Sequence, residues 1–207
     1  MPTILDLCGG TGSWSRPYRE AGYRVVIVDP LAENNGVNWI GTVEGFYMAL
    51  LSGSIDFIAD DVQGIIMAPP CTEFAGSGAR WWAEKEANEP QKLHAAISTV
   101  LACLRVRVDV QPKWWVMENP VGRMRRIVRE RTGTEIGPYA MTFNPCDYGD
   151  PWTKRTCLWG DFTPPKRTPV EPTEGSKIHL MAPGPDRWRL RSATPPGFAR
   201  AFFKANP

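Results

Sequence analysis

The chain has 207 residues, 43% apolar and 22% charged, which is typical of one globular α/β domain or of a domain with a small appendage. The net charge of +2 permits a nucleic-acid partner without indicating one, and five cysteines without close pairs or a CxxC motif argue against a disulfide framework and a structural zinc site. Neither a basic leader nor an apolar run near the roughly 20 residues that span a bilayer is visible, so the sequence predicts a cytoplasmic protein with no membrane partner and no metal.

The first thirty residues predict the opening of a doubly wound, mostly parallel sheet. Strands are expected at Thr3–Leu7 and Arg24–Val28, because both runs are apolar and the second is rich in β-branched residues. A helix is expected at Trp14–Ala21, ended by Gly22. A strand, a turn, a helix and a strand in this order are typical of an α/β fold whose helices cover both faces of a sheet.

The middle of the chain predicts further strands and helices. Buried strands are expected at Gly64–Met67 and Lys113–Met117, with a helix between them that begins near Glu89, carries an apolar face and ends before Pro112. Other predicted elements are a helix at 41–51, a short strand or loop at 55–58, a loop at 74–87, a basic helix at 123–131, and strands at 139–143 and 156–159.

The composition changes after Gly160, which divides the chain into a core of residues 1–160 and a C-terminal region of residues 161–207. Residues 161–197 are rich in proline and poor in apolar runs, so we expect an extended arm over the surface. A final amphipathic helix at about 196–205 is expected to dock on the core through Phe198, Phe202 and Phe203.

The turn after the first strand is suited to binding a ligand. Its glycines let the backbone approach a ligand closely, and the helix that follows offers free N–H groups. Asp29, at the end of the second strand, can accept hydrogen bonds from both hydroxyls of a ribose. The turn alone is also compatible with a tight connection, but together with Asp29 it favours an adenosine-type cofactor. The spacing is not GxGxxG, which disfavours a nicotinamide cofactor.

Two reactive residues follow the two buried strands. Cys71 comes after Pro69 and Pro70, and Glu118 comes before Asn119. A lone cysteine is often only a small buried apolar residue, and a glutamate is often only a surface carboxylate. Because ligands bind at the carboxyl ends of strands in open α/β sheets, we expect a nucleophilic thiolate and a carboxyl of raised pKa to face the same space.

These residues carry a family resemblance. Asp6–Gly12 resembles the cofactor loop of the DNA (cytosine-5) methyltransferases, Pro69–Cys71 resembles their nucleophile motif, and Glu118–Pro120 resembles their glutamate motif. Two later motifs follow in family order, since Tyr148–Pro151 is similar to the YGxP motif and Arg191–Pro195 is similar to the start of the helix that begins with Arg-x-Leu-Thr-Pro. The compact form is most similar to small members encoded by phages or prophages.

The resemblance implies a Rossmann-like class I S-adenosylmethionine-dependent methyltransferase fold and methyl transfer to C5 of cytosine in DNA. Cys71 would attack C6 of a base flipped out of the duplex, and Glu118 would bond N3 and the exocyclic amine. The catalytic residues that it implies are Cys71, Glu118, Pro70, Asn119, Lys154 and Arg155. The residues that it implies for binding S-adenosylmethionine are Asp6, Cys8, Gly9, Gly10, Thr11, Gly12, Trp14, Asp29, Pro30 and Pro69.

The basic motif departs from the family pattern. After YGxP the family has Gln-x-Arg-x-Arg, and this chain has Trp152, Lys154 and Thr156 at the conserved places of that motif. Arg155 lies one position out of phase. Lys154 and Arg155 are therefore both candidates for the missing cation.

The periphery of the expected site departs as well. The acid expected after the third strand is not defined, because Glu44, Asp60 and Asp61 are all available. The stretch before Arg191–Pro195 is too short for the large target-recognition domain of the family, and the final cofactor-lining motif has no match. A separate protein that supplies recognition and a homodimer that completes the cofactor pocket are therefore both open alternatives.

Three alternatives stay open. An amino-methyltransferase fits poorly, because Ala68 and Cys71 stand where a polar and an aromatic residue would be needed. RNA is an alternative substrate to DNA. A catalytically silent nucleic-acid-binding module is favoured by the absent recognition domain and the altered basic motif, whereas Cys71 and Glu118 argue against it.

Two groups of side chains have both a structural and a functional interpretation. Trp81 and Trp82 either pack in the fold or belong to a lid over the flipped base. A cationic run is either a solvated helix face or a surface for DNA phosphates, whose binding would weaken steeply with salt. The run consists of Arg123, Arg125, Arg126, Arg129 and Arg131.

Overall fold

A seven-stranded sheet forms the centre of the protein in a computed structural model that describes residues 1–32, 37–55, 61–184 and 187–207. Its strands run in the order β3-β2-β1-β4-β5-β7-β6, and only the pairs that involve β7 are antiparallel. The strands are β1 (Thr3–Leu7), β2 (Arg24–Val28), β3 (Val37–Trp39), β4 (Val62–Met67), β5 (Trp114–Pro120), β6 (Met141–Phe143) and β7 (Thr156–Asp161). The predicted doubly wound, mostly parallel sheet is confirmed.

Helices connect the strands and cover both faces of the sheet. The longest, α4, has an apolar face that includes Leu93, Ile97 and Val100, and it ends where Gln111 adopts a left-handed conformation just before Pro112. The described helices are α1 (Arg16–Glu20), α2 (Val43–Leu51), α3 (Trp82–Asn88), α4 (Pro90–Val110), α5 (Met124–Thr132), α6 (Lys177–Leu180), α7 (Arg187–Ser192) and α8 (Pro196–Ala205).

The two faces of the sheet bury two separate hydrophobic clusters, because successive side chains of a strand point to opposite faces. On β1, Leu5 and Leu7 belong to one cluster and Ile4 belongs to the other. We call the first the aliphatic face, which packs against α2, α4 and α5, and the second the aromatic face. The aromatic face packs against α1 and α8 through Trp14, Tyr18, Trp114, Phe143, Tyr148, Phe198 and Phe202.

The structure corrects two predictions of secondary structure. Residues 74–87 were expected to form a loop, but they contain a 3₁₀ helix at Gly76–Trp81 and most of α3. The region 161–197, expected to be an extended arm, contains the helices α6 and α7, and residues 162–172 have no regular secondary structure. The possible strand at 55–58 lies mostly outside the described residues.

The terminal helix was predicted correctly. It spans Pro196–Ala205, and Phe198 and Phe202 are fully buried while Phe203 is partly buried. Its end is tied to the start of the chain, because the Tyr18 hydroxyl donates a hydrogen bond of 2.7 Å to the backbone oxygen of Asn206. Among the described residues, no helix is both long and apolar enough to cross a bilayer, and no cluster of three or more His, Cys, Asp or Glu could hold a metal ion.

Candidate active site

The loop after β1 is supported by a buried carboxyl group. Asp6 is almost fully buried and accepts a hydrogen bond of 2.5 Å from the Ser15 hydroxyl. Burial raises the pKa of Asp6 to about 7, although the bond from Ser15 opposes this shift. A Cβ atom on Gly9 would lie 2.5 Å from the Asp6 Cγ, so the loop can pass over this carboxyl only with glycine at that position.

The same loop turns towards the end of β2. Gly10 and Gly12 have φ angles of +48° and +63°, in the left-handed region, and the Gly12 N–H donates to the Gly9 oxygen at 2.8 Å. The Asp29 carboxylate accepts hydrogen bonds from the Gly10 N–H at 3.1 Å and from the Leu31 N–H at 2.7 Å. Each of its oxygens keeps a lone pair, so the half-buried Asp29 remains able to bind a ribose hydroxyl.

Two of the predicted cofactor-binding side chains point into the hydrophobic clusters. Cys8 has a φ of +61°, and its thiol is hydrogen-bonded to that of Cys103 on α4, which together with burial raises the Cys8 pKa. Trp14 is buried on the aromatic face, with its ring centroid 5.4 Å from that of Phe198 and 5.5 Å from that of Phe202. Both side chains therefore contact the hydrophobic clusters, Cys8 while half-buried and Trp14 while buried.

The remaining predicted cofactor residues differ in exposure. Thr11 is half-buried in the loop, and Pro30 is exposed just after β2.

Of the three candidate acids, Glu44 accepts a hydrogen bond of 2.8 Å from Thr99 and is near enough to Cys8 to act on its pKa. Asp61 pairs with the N-terminal amine at 3.1 Å, at the opposite end of the sheet, and Asp60 lies outside the described residues.

The Cys71 thiol and the Glu118 carboxyl converge at the carboxyl ends of β4 and β5. Met67 pairs with Met117, so Glu118 lies level with the first residue after β4. Burial raises the pKa of the half-buried Cys71, and the Glu118 charge raises it further. Burial also raises the pKa of Glu118, whose Oε2 atom is buried without a hydrogen-bond partner among the described residues. The two groups thus lie within electrostatic reach of one another.

Hydrogen bonds fix the cysteine loop to the strand that carries the acid. The buried Asn119 donates from Nδ2 to the Pro69 carbonyl oxygen at 2.9 Å. Farther along, Ala75 and Gly122 form an isolated antiparallel bridge. Pro69 is buried and Pro70 is exposed, so the loop is anchored on one side and open to solvent on the other.

Lys154 faces the site, and Arg155 does not. Lys154 is half-buried, and its charge opposes the effect of burial on the pKa values of both Glu118 and Cys71. Its Nζ atom donates to the Arg191 carbonyl oxygen at 3.0 Å. Arg155 is exposed, and its charge acts on Cys157, which belongs to the aliphatic face. Of the two candidates for the missing cation, the structure brings only Lys154 beside the carboxyl and the thiol.

A narrow pocket beside Glu118 contains residues that sequence reasoning missed. Its polar side chains are those of Glu118, Lys154, Thr156, Ser192 and Thr194, and its aromatic ones are those of Trp14, Phe143 and Phe198. The indole nitrogen of Trp14 is buried and has no hydrogen-bond partner in the part of the chain that the structure describes. The motif Arg191–Pro195 was recognised in the sequence only as the start of the last helix, and nothing in the motif indicated that it lies beside Glu118.

The cationic run on α5 is mostly paired with acids. The buried Arg123 contacts Glu86, and its guanidinium lies 4.3 Å from the centroid of the Trp82 ring. Three further arginines pair with glutamates: Arg126 with Glu130 at 3.2 Å, Arg129 with Glu135 at 3.6 Å, and Arg131 with Glu86 at 2.7 Å. The run is therefore better explained as a salt-bridged helix face than as a phosphate-binding surface.

Trp82 is packed, whereas Trp81 remains 49% exposed.

The chain is similar in sequence to a known methyltransferase. The Type II methyltransferase M.DdeI of Desulfomicrobium norvegicum is 27% identical over 170 residues, which amount to 73% of this chain and 38% of the relative. The chain thus spans less than two fifths of the length of this curated relative. No family model matches the chain.

The fold is shared with solved structures. A crystal structure from E. coli, assigned as a DNA modification methyltransferase encoded within a prophage, superposes with a TM-score of 0.52 at 17% identity. The match covers 83% of this chain and 53% of that chain. Together with the strand order, it confirms the predicted α/β fold class with a seven-stranded, mostly parallel sheet.

Proposed function

We propose that this chain transfers a methyl group from S-adenosylmethionine to C5 of cytosine in DNA through a covalent bond to Cys71. The observation that carries the proposal is the proximity of three groups: Glu118 and Lys154 line one pocket, and the Asn119–Pro69 hydrogen bond ties the Cys71 loop to the strand that carries Glu118. They meet at the carboxyl ends of parallel strands, where open α/β sheets bind ligands. The sequence similarity to a type II methyltransferase supports the same class of reaction.

The three side chains suit attack on a pyrimidine ring. The Cys71 thiolate would form a bond to C6, and the electrons of the C5–C6 double bond would shift towards N3, which would take the proton of Glu118. Burial favours this role, because a carboxyl whose pKa is raised keeps its proton at higher pH. Lys154, which faces both groups, would stabilise the thiolate before attack. Once C5 has bonded to the transferred methyl group and S-adenosylhomocysteine has been released, loss of the C5 proton to solvent, departure of the Cys71 thiolate and return of the N3 proton to Glu118 would restore the aromatic ring.

The loop after β1 fits the cofactor that this reaction requires. Bound there, S-adenosylmethionine would supply the methyl group for C5. Gly10 and Gly12 give a backbone without side chains at the place where the ligand would approach, and the Asp29 oxygens keep lone pairs for the ribose. Asp6 supports this loop through its hydrogen bond with Ser15.

Two observations favour a second candidate, a nucleic-acid-binding module without catalysis. Burial and the Glu118 charge keep the Cys71 thiol protonated to higher pH than usual, which lowers the supply of thiolate. The buried Thr156 also stands where the resembling family has an arginine, and its hydroxyl donates to the Lys154 carbonyl oxygen at 3.0 Å. A protein of this kind would bind DNA without forming a bond to it.

A trapping experiment tests the proposal. Fluorine at C5 of cytosine cannot leave as a proton does, so an enzyme of this type stays attached to DNA that contains 5-fluorocytosine. With S-adenosylmethionine present, the wild-type protein is expected to form an adduct that survives a denaturing gel, and Cys71→Ser is expected to form none. Cys146→Ser is a matched control, because Cys146 is also half-buried but lies in the 3₁₀ turn before β7.

The possible outcomes separate the candidates. Methyl transfer without any adduct would contradict attack by Cys71 and would indicate transfer to an amino group. DNA binding without adduct or methyl transfer would favour the silent module. An adduct formed equally by Cys71→Ser would assign the nucleophile to another residue.

A further inference from the structure

The segment between α7 and α8 joins three parts of the candidate active site. The Arg191 carbonyl oxygen accepts the hydrogen bond of 3.0 Å from Lys154 Nζ. The Thr194 N–H donates to the Ser13 hydroxyl at 2.8 Å, which ties the segment to the loop after β1. Ser192 and Thr194 line the same pocket as Glu118. Residues near the end of the chain thus form a wall of the site whose other parts come from β1, β5 and β7.

Charges of both signs act on the Cys71 thiol. Among the described residues, the charge of Glu118 raises the pKa of the thiol, and the charges of Lys154 and Arg191 lower it. Lys154 is shared, because it also acts on Glu118. Burial and then Glu118 raise the pKa of Cys71, and Lys154 and Arg191 oppose them. The half-buried Arg191 is therefore well placed to favour the charged form of the nucleophile.

We propose that Arg191 is a positioning residue of the catalytic site, whose carbonyl holds the Lys154 ammonium and whose guanidinium supplies a second positive charge for the Cys71 thiolate. This inference rests on the proposed role of Cys71 as the nucleophile. It assigns to the segment before α8 a part in activating the nucleophile, and it explains how a site with threonine at position 156 gathers two cations.

Alkylation of Cys71 tests the inference without DNA or S-adenosylmethionine. The thiolate displaces iodide from iodoacetamide, a carbon–sulfur bond forms, and the rate follows the fraction of thiolate. Because the chain has five cysteines, the rate at Cys71 is measured by mass spectrometry of its peptide over a range of pH. Arg191→Ala is expected to move the midpoint of the pH profile upwards and to slow alkylation at pH 7 by roughly threefold, because less of the thiol is then ionised at that pH.

Matched variants distinguish a local charge from a general one. Arg191→Lys is expected to restore most of the rate, because it keeps a cation on the same backbone. Arg189→Ala removes the same charge from an exposed position on the same short helix and is expected to leave the midpoint unchanged. The alkylation rate of Cys146 in each variant reports whether the fold is intact.

Two outcomes would overturn the inference: an unchanged Cys71 midpoint in Arg191→Ala, or an equal shift in Arg189→Ala. The result is separable from the proposed reaction. A shifted midpoint together with no adduct on 5-fluorocytosine DNA would support the charge effect of Arg191 and contradict methyl transfer. An adduct together with an unshifted midpoint would support methyl transfer and contradict the charge effect of Arg191.

Discussion

The two faces of the sheet are built differently. The aliphatic face is filled mainly by branched and sulfur-containing side chains such as Leu5, Leu7 and Met67, under α2, α4 and α5. The aromatic face is filled by rings, and it carries the polar groups of the candidate site. On β5, Val116 packs on the aromatic face, so Glu118, two residues on, points to the same side.

This difference shows which part of the chain the candidate site depends on. The aliphatic face is closed by α2, α4 and α5, each of which lies between strands in the sequence. The aromatic face is closed by α1 and α8, which come from the two ends of the chain and meet where Tyr18 bonds Asn206. The pocket beside Glu118 therefore lies on the face that is closed by helices from both ends of the described chain.

A pair of matched substitutions probes this difference most strongly. Phe46 on the aliphatic face and Phe198 on the aromatic face are both fully buried. Changing either to alanine is expected to cost about 3–5 kcal/mol of unfolding free energy, measured by urea denaturation. Only Phe198→Ala is expected to alter the alkylation rate of Cys71 in the folded fraction, because Phe198 lines the pocket beside Glu118. Equal changes in that rate would show that the site does not depend on the aromatic face.

The buried acid beneath the loop after β1 gives a smaller effect that depends on pH. The pKa of Asp6 is raised from 3.8 to about 7 in the fold, so between these values the unfolded chain has lost a proton that the folded chain keeps. The free energy of unfolding is therefore highest at low pH. It falls by on the order of 2–4 kcal/mol as pH rises from the unfolded value of 3.8 to the folded value of about 7. Urea midpoints at several pH values are expected to show this loss in the wild type and a flatter profile in Asp6→Asn. Parallel profiles for the two proteins would contradict the raised pKa.

The smallest expected effect concerns DNA affinity. Arg125 is exposed on α5, a helix of the aliphatic face. Arg125→Ala is expected to change the DNA affinity by less than about twofold and to leave its salt dependence unchanged. Arg155, exposed at the start of β7 beside Lys154, lies at the edge of the sheet that carries the site. Arg155→Ala is expected to reduce the slope of log affinity against log salt by about 0.9, the value for one phosphate contact. A reduced slope in Arg125→Ala would instead indicate that the DNA-binding surface lies on α5.

Local patterns in the sequence accounted for the strands and the long helices. Apolar runs and helical spacing act over a few residues, which is why β1, β4, β5, α4 and α8 were predicted close to their observed bounds. The helix α3 was missed because its first residue, Trp82, is held by the distant Arg123, a contact that no local pattern encodes. The short helices α6 and α7 lie among prolines that, taken alone, favour an extended chain.

The site was predictable to a similar extent. Cys71 and Glu118 were singled out by their motifs. Their placement at one edge was predictable because the carboxyl ends of parallel strands lie at the same edge of a sheet. The direction of the Cys8 side chain was not predictable, since it follows from a left-handed backbone angle that is unusual outside glycine. The approach of Arg191 and Thr194 to the site depends on how the last helix docks, which is a matter of tertiary packing.

The bond from the Asn119 amide to the Pro69 oxygen has a consequence for how the site responds to thermal motion. Together with the bridge between Ala75 and Gly122, it makes the cysteine loop and the end of β5 one mechanical unit. When this edge of the sheet fluctuates, sulfur and carboxyl are displaced in the same direction, and the gap between them is preserved. A ligand that contacted both the Cys71 sulfur and the Glu118 carboxyl would therefore meet them at a nearly fixed separation.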